Sequence, residues 1–247
     1  MTLLEGKGIT KQFGGLAALN DVDFYVNEGE IVGLIGANGA GKTTLFNIID
    51  GIYPPSAGEV NFCGERITGL RPSQICKKGI GRTFQLVKPF GNLSVLTNVM
   101  IGRLFGRNGQ RNLTAAKEDA SKILKFVGLG EKANVPARSL TIADRKRLEV
   151  ARALGTNPRL LLLDEVLAGL NPTETGEAMK LVEKIRKDMG ITIFMIEHVM
   201  KALIGLSDRV VVLHYGRKIA EGTAQEIPNN PAVIEAYLGK VTTHAQS

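Results

Sequence analysis

Gly36 to Thr43 reads GANGAGKT, a full match to G-x-x-x-x-G-K-[ST]. Glycines in such a loop let backbone N–H groups curl around phosphate oxygens, and the N-terminus of a following helix adds partial positive charge. The residues placed to bind in this way are Gly36, Asn38, Gly39, Ala40, Gly41, Lys42, Thr43 and Thr44. Lys42 would reach the β- and γ-phosphates of a nucleotide, and the Thr43 hydroxyl would bind Mg²⁺. A glycine-rich turn without a ligand is the bland alternative, but a Gly-Lys-Thr ending has no packing purpose. A second acidic element lies downstream, Leu160-Leu161-Leu162-Leu163-Asp164-Glu165. A carboxylate at the end of a buried strand beside a phosphate loop supplies the oxygen ligand that a metal needs, and Asp164 fits this directly or through water. Glu165 can face the water that attacks the γ-phosphate, as general base or as its orienter.

These residues need elements to hold them. Ile31, Val32, Leu34 and Ile35 form a short apolar run that predicts a buried strand before the loop. Thr44 to Ile49 is apolar at helical spacing, with Gly51 where a C-terminal cap belongs. Strand, glycine loop and helix are the setting in which the motif becomes a phosphate site. Upstream, Val22, Phe24 and Val26 alternate with polar residues and predict antiparallel strands in the first thirty positions. A turn at Pro54, a strand at Glu59 to Phe62 and a helix from Pro72 to Lys78 follow. From Pro89 to Leu154 the pattern is helical, with Ala116, Ala120, Ile123, Leu124 and Val127 on one face and Thr114 as the expected cap. Leu160 to Leu163 predicts a buried strand. Asn171-Pro172 predicts a capped helix start, with an apolar face of Ala178, Leu181, Val182, Ile185 and Met189 and a stop at Gly190. A strand over Ile191 to Ile196, a hairpin across Tyr215-Gly216 and a short helix from Pro231 to Leu238 complete the expected order.

Length and composition set outer bounds. The 247 residues suffice for one large domain, or a core carrying a smaller one. Hydrophobic residues at 44% and charged residues at 22% are ordinary for a globular protein. The start of the chain reads as a strand and not as a signal peptide, and no apolar run reaches bilayer-crossing length, so any link to a membrane is expected through a partner. The net charge of +7 suits an anionic ligand, nucleic acid or a membrane surface and decides between none of them. The two cysteines, Cys63 and Cys76, match no metal spacing and are expected to be ordinary thiols of a reducing compartment.

The phosphate loop and LLLLDE, with a helical stretch between them, resemble the ATP-binding subunits of ABC transporters. Gln85 in GRTFQ resembles the Q-loop glutamine, which senses Mg²⁺ and joins core to helical subdomain. His198 after ITIFMIEH resembles the switch histidine that contacts the γ-phosphate. Phe13 in KQFGG resembles the aromatic that stacks on adenine, although it could be a core aromatic. The resemblance spans essentially Leu3 to Gly239. It implies an α/β fold: a P-loop NTPase core of the ABC ATPase type, with an antiparallel β subdomain and an inserted helical subdomain. The division expected is core at 1–88 and 156–247 and helical insertion at 89–155. ATP and Mg²⁺ are the implied ligands and ATP hydrolysis the implied reaction, with Glu165 and His198 catalytic and Thr43, Gln85 and Asp164 at the metal. Implied partners are integral membrane permease subunits and a second ATPase subunit, with an external solute-binding protein reached indirectly and no nucleic acid. The implied place is cytoplasmic, peripheral on the inner face of the cell membrane. Leu86 to Met100 is the expected docking segment. FGGLAALNDV, TTLFNIIDGIYPPSAGEV, GIGRTFQ, AGLNPTE and NNPAVIEAYLG are similar to the branched-chain amino acid importer subgroup. Urea and short-amide importers and the lipopolysaccharide-export ATPase share parts of this pattern.

One element departs from the family. Its signature loop is usually Leu-Ser-Gly-Gly-Gln, whereas here Leu140-Thr141-Ile142-Ala143-Asp144 stands in that place. Thr141 keeps the hydroxyl that would bond a γ-phosphate, and Thr141 and Ala143 are the expected contacts. Both glycines are lost, and side chains hinder close backbone approach to a phosphate. Asp144 adds a negative charge unless it caps its helix or faces away. Paired with a paralogue carrying the usual signature, this chain's Lys42 and Glu165 would lie in a complete site and the opposite site would be slow. Rival readings are a soluble ABC ATPase acting on ribosomes or DNA, a GTPase, and a degenerate regulatory subunit. A second cassette or long coiled coil is missing for the first, an Asn-Lys-x-Asp string for the second, and the intact Lys42, Asp164, Glu165 and His198 oppose the third.

Overall fold

The computed structural model describes residues 1–85, 88–198 and 200–238. Two long strands open it, β1 (Thr2–Phe13) and β2 (Leu16–Asn27), paired antiparallel. Next come β3 (Ile31–Ile35), α1 (Lys42–Ile49), β4 (Ala57–Phe62), β5 (Glu65–Arg66), α2 (Pro72–Lys78) and β6 (Ile80–Arg82). Three helices follow without an intervening named strand, α3 (Val95–Phe105), α4 (Leu113–Phe126) and α5 (Ile142–Gly155). Then come β7 (Leu160–Asp164), α6 (Pro172–Met189), β8 (Thr192–Ile196), α7 (Met200–Leu206), β9 (Arg209–His214), β10 (Arg217–Thr223) and α8 (Pro231–Leu238).

Two sheets result. A four-stranded antiparallel sheet has the order β2-β1-β4-β5, and a six-stranded sheet the order β10-β9-β3-β8-β7-β6. In the larger sheet β9, β3, β8, β7 and β6 run parallel and β10 closes one edge antiparallel. All five residues of β3, β7 and β8 are buried, as parallel strands covered on both faces must be. Their alternation sorts side chains into two cores. Leu161, Leu163, Ile193 and Met195 join α3, α4, α5 and α6 on one face. Leu160, Leu162, Phe194 and Ile196 meet α1 and the antiparallel sheet on the other.

Four parallel strands end at the same edge of the sheet. β3 runs into the glycine loop, β6 into Thr83-Phe84-Gln85, β7 ends on Asp164, and β8 leads to His198. Open parallel sheets bind ligands outside these carboxyl ends. The fold therefore brings together residues far apart in sequence.

Two expectations are corrected. Helix α4 is capped by Asn112, whose side chain accepts from the Thr114 and Ala115 N–H groups, and not by Thr114. Met189 is 41% exposed and lies outside the buried face of α6, which is Val182 and Ile185 with Ala178 and Leu181 packed beside them. Asn171 caps α6 as expected, in a reciprocal pair with Glu174.

Candidate functional site

The glycine loop joins β3 to α1 through backbone that side chains would not permit. Gly41 has φ 102°, and a Cβ there would lie 2.6 Å from the Ala18 carbonyl oxygen. Among the described residues no side chain caps α1 at Gly41, and the first residues of the helix line the cleft. The cleft measures roughly 440 Å³ and is lined by Phe13, Leu16, Ala18, Asn38 to Thr44, Gln85, Glu165 and His198. That size suits a nucleotide.

Lys42 is 6% exposed and donates to the carbonyls of Gly36 at 2.8 Å and Ala37 at 3.0 Å. Burial lowers its pKa, and the carboxylates of Glu165 and Asp164 oppose that. The ammonium thus lies folded along the loop that it would serve.

Glu165 is held from both sides. Gln85 Nε2 donates to its Oε2 at 2.8 Å, and His198 Nε2 lies 2.6 Å from its Oε1. Phe13 is 42% exposed and is no core aromatic. Its ring meets Tyr53 edge-on at 5.3 Å, with Lys11 Nζ 5.0 Å above it.

Asp164 is 2% exposed. Its Oδ2 accepts from Arg82 Nη2 at 3.1 Å, and its backbone N–H donates to Thr83 Oγ1 at 3.0 Å. Its buried Oδ1 accepts no hydrogen bond from the described residues. Burial raises the carboxyl pKa, and Arg82 opposes the rise. An orphaned carboxylate oxygen beside a phosphate loop fits a divalent cation or its water, with the exposed Thr43 hydroxyl as a second oxygen donor. Among the described residues no three His, Cys, Asp or Glu cluster as a metal site, so phosphate and water would supply the remaining ligands.

The structure does not bring Thr141 and Ala143 to this cleft. Thr141 is exposed and caps α5 by accepting from the Asp144 N–H at 3.2 Å. Ala143 borders a separate crevice between α5 and α6. Asp144 turns inward, is 6% exposed, and pairs with Lys132 and with Arg147 at 4.0 Å. Its charge is thereby neutralised within its own chain.

Sequence reasoning missed three charged residues. Arg82 is buried and joins Asp164 to Asn47, at 2.8 Å, and to Asp50, at 3.7 Å. Burial pushes the Asp50 carboxyl up to about 6. Lys146 donates to the carbonyls of Glu165 and Val166. Glu197 is 2% exposed, and its Oε1 accepts from the Leu167 N–H at 2.8 Å. The signal for Arg82 was its place in Gly-Arg-Thr-Phe-Gln, three residues before Gln85. A charge next to His198 at a strand end was the corresponding signal for Glu197.

Glu197 carries a pH prediction. Burial raises its carboxyl pKa from 4.5 to about 7, against the Leu167 N–H and the Lys146 charge; the Glu165 charge adds to the rise. Between those values the folded chain keeps a proton that the unfolded chain has lost, so stability falls as pH rises and levels off above about 7. The contribution is roughly 3 kcal/mol. Urea unfolding of wild type and Glu197→Gln at several pH values should show a difference that grows from about pH 4.5 to about pH 7 in the variant's favour. A difference constant with pH would contradict this.

Known proteins place this geometry. The sequence pattern of the family described as ABC transporter matches residues 19–168, more than half of the chain. The chain belongs to the ABC transporter family. A second pattern, described as branched-chain amino acid ATP-binding cassette transporter, matches residues 217–241. The chain is 41% identical to the high-affinity branched-chain amino acid transport ATP-binding protein BraF of Pseudomonas aeruginosa, over 96% of this chain and 98% of that protein. It is equally 41% identical to LivG of Escherichia coli strain K12, over the same shares. The ADP conformation of MJ1267, an ATP-binding cassette of an ABC transporter, superposes with a TM-score of 0.86 at 33% identity, covering 97% of this chain and all of that one. The fold is that of an ABC ATPase, and the chain is an ABC-type ATPase that binds ATP. Among the described residues no helix is long and apolar enough to cross a membrane.

Proposed function

We propose that the chain is the ATP-hydrolysing subunit of an importer of branched-chain amino acids. It acts as a peripheral subunit on the inner face of the cell membrane, on integral permease subunits, with a second ATPase subunit and an external solute-binding protein. The observation that carries this reading is the cleft that unites the glycine loop, Gln85, Glu165 and His198, in a chain whose relatives are named for branched-chain amino acid transport.

In this reading Lys42 and the N–H groups at the start of α1 hold the β- and γ-phosphates. Asp164, Thr43 and Gln85 hold Mg²⁺, which would neutralise charge on the phosphates. Glu165 accepts a proton from the attacking water at an oxygen lone pair that neither Gln85 nor His198 uses. Gln85 and His198 are expected to turn to the nucleotide when it binds. Phe13 offers its exposed face to adenine. Thr141 and Ala143, outside the cleft, serve the site of the second subunit. The core at 1–88 and 156–247 then carries the phosphate loop, and the helical segment at 89–155 carries the signature.

The groove between α2, β6, α3 and α5 is the surface for the permease. Phe84, Phe90, Ile101 and Phe105 line it, with Arg152 and Glu149 at hand. Phe84, Phe90 and Phe105 are 46%, 47% and 70% exposed, which suits an apolar partner element. Of the expected docking segment, Leu86 and Val87 lie outside the described residues, and Phe90 and Asn98 border the groove.

Proteoliposomes holding the two permeases, this chain and the second ATPase should take up radiolabelled leucine when ATP is inside and the solute-binding protein outside. Uptake of urea in preference to leucine would overturn the choice of solute.

A further inference from the structure

Glu165 has φ 52°, in the left-handed region that side-chain-bearing residues rarely occupy. Such a backbone persists only where its surroundings over-determine it. The Glu165 N–H donates to the Ile196 carbonyl at 2.9 Å. Lys146 Nζ donates to the Glu165 carbonyl at 3.0 Å and to the Val166 carbonyl at 3.3 Å. One residue further on, the Leu167 N–H is held by the buried Glu197 carboxylate. The turn that aims Glu165 is thus gripped at each successive peptide.

Lys146 differs from the other anchors in where it comes from. It stands in the second turn of α5, the helix that Thr141 caps. Three residues on, on the same helix face, Glu149 Oε1 accepts from the Phe84 N–H at 2.8 Å. Phe84 precedes Gln85, which holds the Glu165 side chain. Helix α5 therefore reaches Glu165 twice: at its backbone through Lys146, and at its carboxylate through Glu149, Phe84 and Gln85.

We propose that Lys146 is a positioning residue for hydrolysis, fixing the backbone of Glu165 to the helix that carries the altered signature. This rests on Glu165 acting in hydrolysis, as read above. Among the described residues its hydrogen bonds go to the Glu165 and Val166 carbonyls and none to the glycine loop, so its effect falls on turnover and not on ATP binding. It also gives the signature a mechanical hold on the chain's own hydrolytic site, since a shift of α5 moves the anchor of Glu165.

The test compares Lys146→Met, which keeps an unbranched apolar stem and loses the ammonium, with Lys146→Arg. The assembled transporter is used, with ATP affinity read from fluorescent ATP binding and kcat and KM from phosphate release. Thermal melting is followed in parallel. Lys146→Met should lower kcat roughly ten- to a hundredfold, the scale of losing hydrogen bonds from a charged donor, with ATP affinity within about twofold of wild type. Lys146→Arg should recover most of the rate. Wild-type kcat in Lys146→Met would overturn the proposal. So would a joint loss of ATP affinity, kcat and melting temperature that arginine does not rescue, because that is the result of a merely structural strap. If Glu165→Gln itself turned over normally, the reading of Glu165 would fail instead, independently of these variants.

Discussion

Glu165→Gln should bind Mg-ATP as wild type does and hydrolyse it roughly 10²–10⁴ times more slowly, the range expected for loss of a positioned base. The amide keeps the size of the side chain and an oxygen that can still accept from Gln85 or His198, the two partners at 2.8 and 2.6 Å. What disappears is the ability to take a proton from water. The backbone turn, held by Ile196, Lys146 and Glu197, is untouched by the change. The expected signature is therefore a fall in kcat alone. Phosphate release under saturating ATP, beside a fluorescent ATP titration, separates the two quantities. Near-normal turnover would show that Glu165 is not the base.

Lys42→Ala should weaken ATP binding by at least about tenfold, because the β- and γ-phosphates lose a charged donor. The folded chain should tolerate the substitution. Among the described residues the ammonium donates hydrogen bonds to the Gly36 and Ala37 carbonyls alone, which belong to the loop itself, and burial already lowers its pKa. Removing it relieves a buried charge and leaves strand β3 and helix α1 packed by Leu34, Leu45 and Phe46. Titration with a fluorescent ATP analogue measures the loss, and a melting curve close to wild type shows that it is local. Unchanged affinity would remove the phosphate-loop assignment.

The two effects differ in how plainly their residues stood in the sequence. The glycine loop was legible because strand, loop and helix are contiguous, so spacing alone sets the geometry. Helix α2 and the Asn171 cap were legible for the same reason, since caps act within a few residues. The choice of Thr114 over Asn112 failed because both types can cap. Leu113 between them is 65% exposed, so periodicity did not mark the first turn. Met189 failed for a reason of length. An eighteen-residue helix is about 27 Å long, while a five-residue strand spans about 17 Å. The apolar pattern of α6 thus continues past the sheet that could cover it. Arg82, Lys146 and Glu197 were out of reach because their partners lie 82, 19 and 30 residues away in sequence. Each becomes meaningful only when the parallel strands deliver their carboxyl ends to one edge. The altered signature was legible as a departure but not in its outcome. That Asp144 turns inward to Lys132 and Arg147 depends on the packing of α5 against the preceding loop.

In the proposed function Thr141 and Ala143, which lie outside the cleft, serve a site that a second subunit completes. Sedimentation of the Glu165→Gln chain, alone and mixed with the second ATPase subunit, tests this most directly. With Mg-ATP a two-subunit species should form in at least one of the two samples, and with ADP it should not. Bound ATP without association in either sample, or association indifferent to nucleotide, would contradict the shared site and the mechanism built on it.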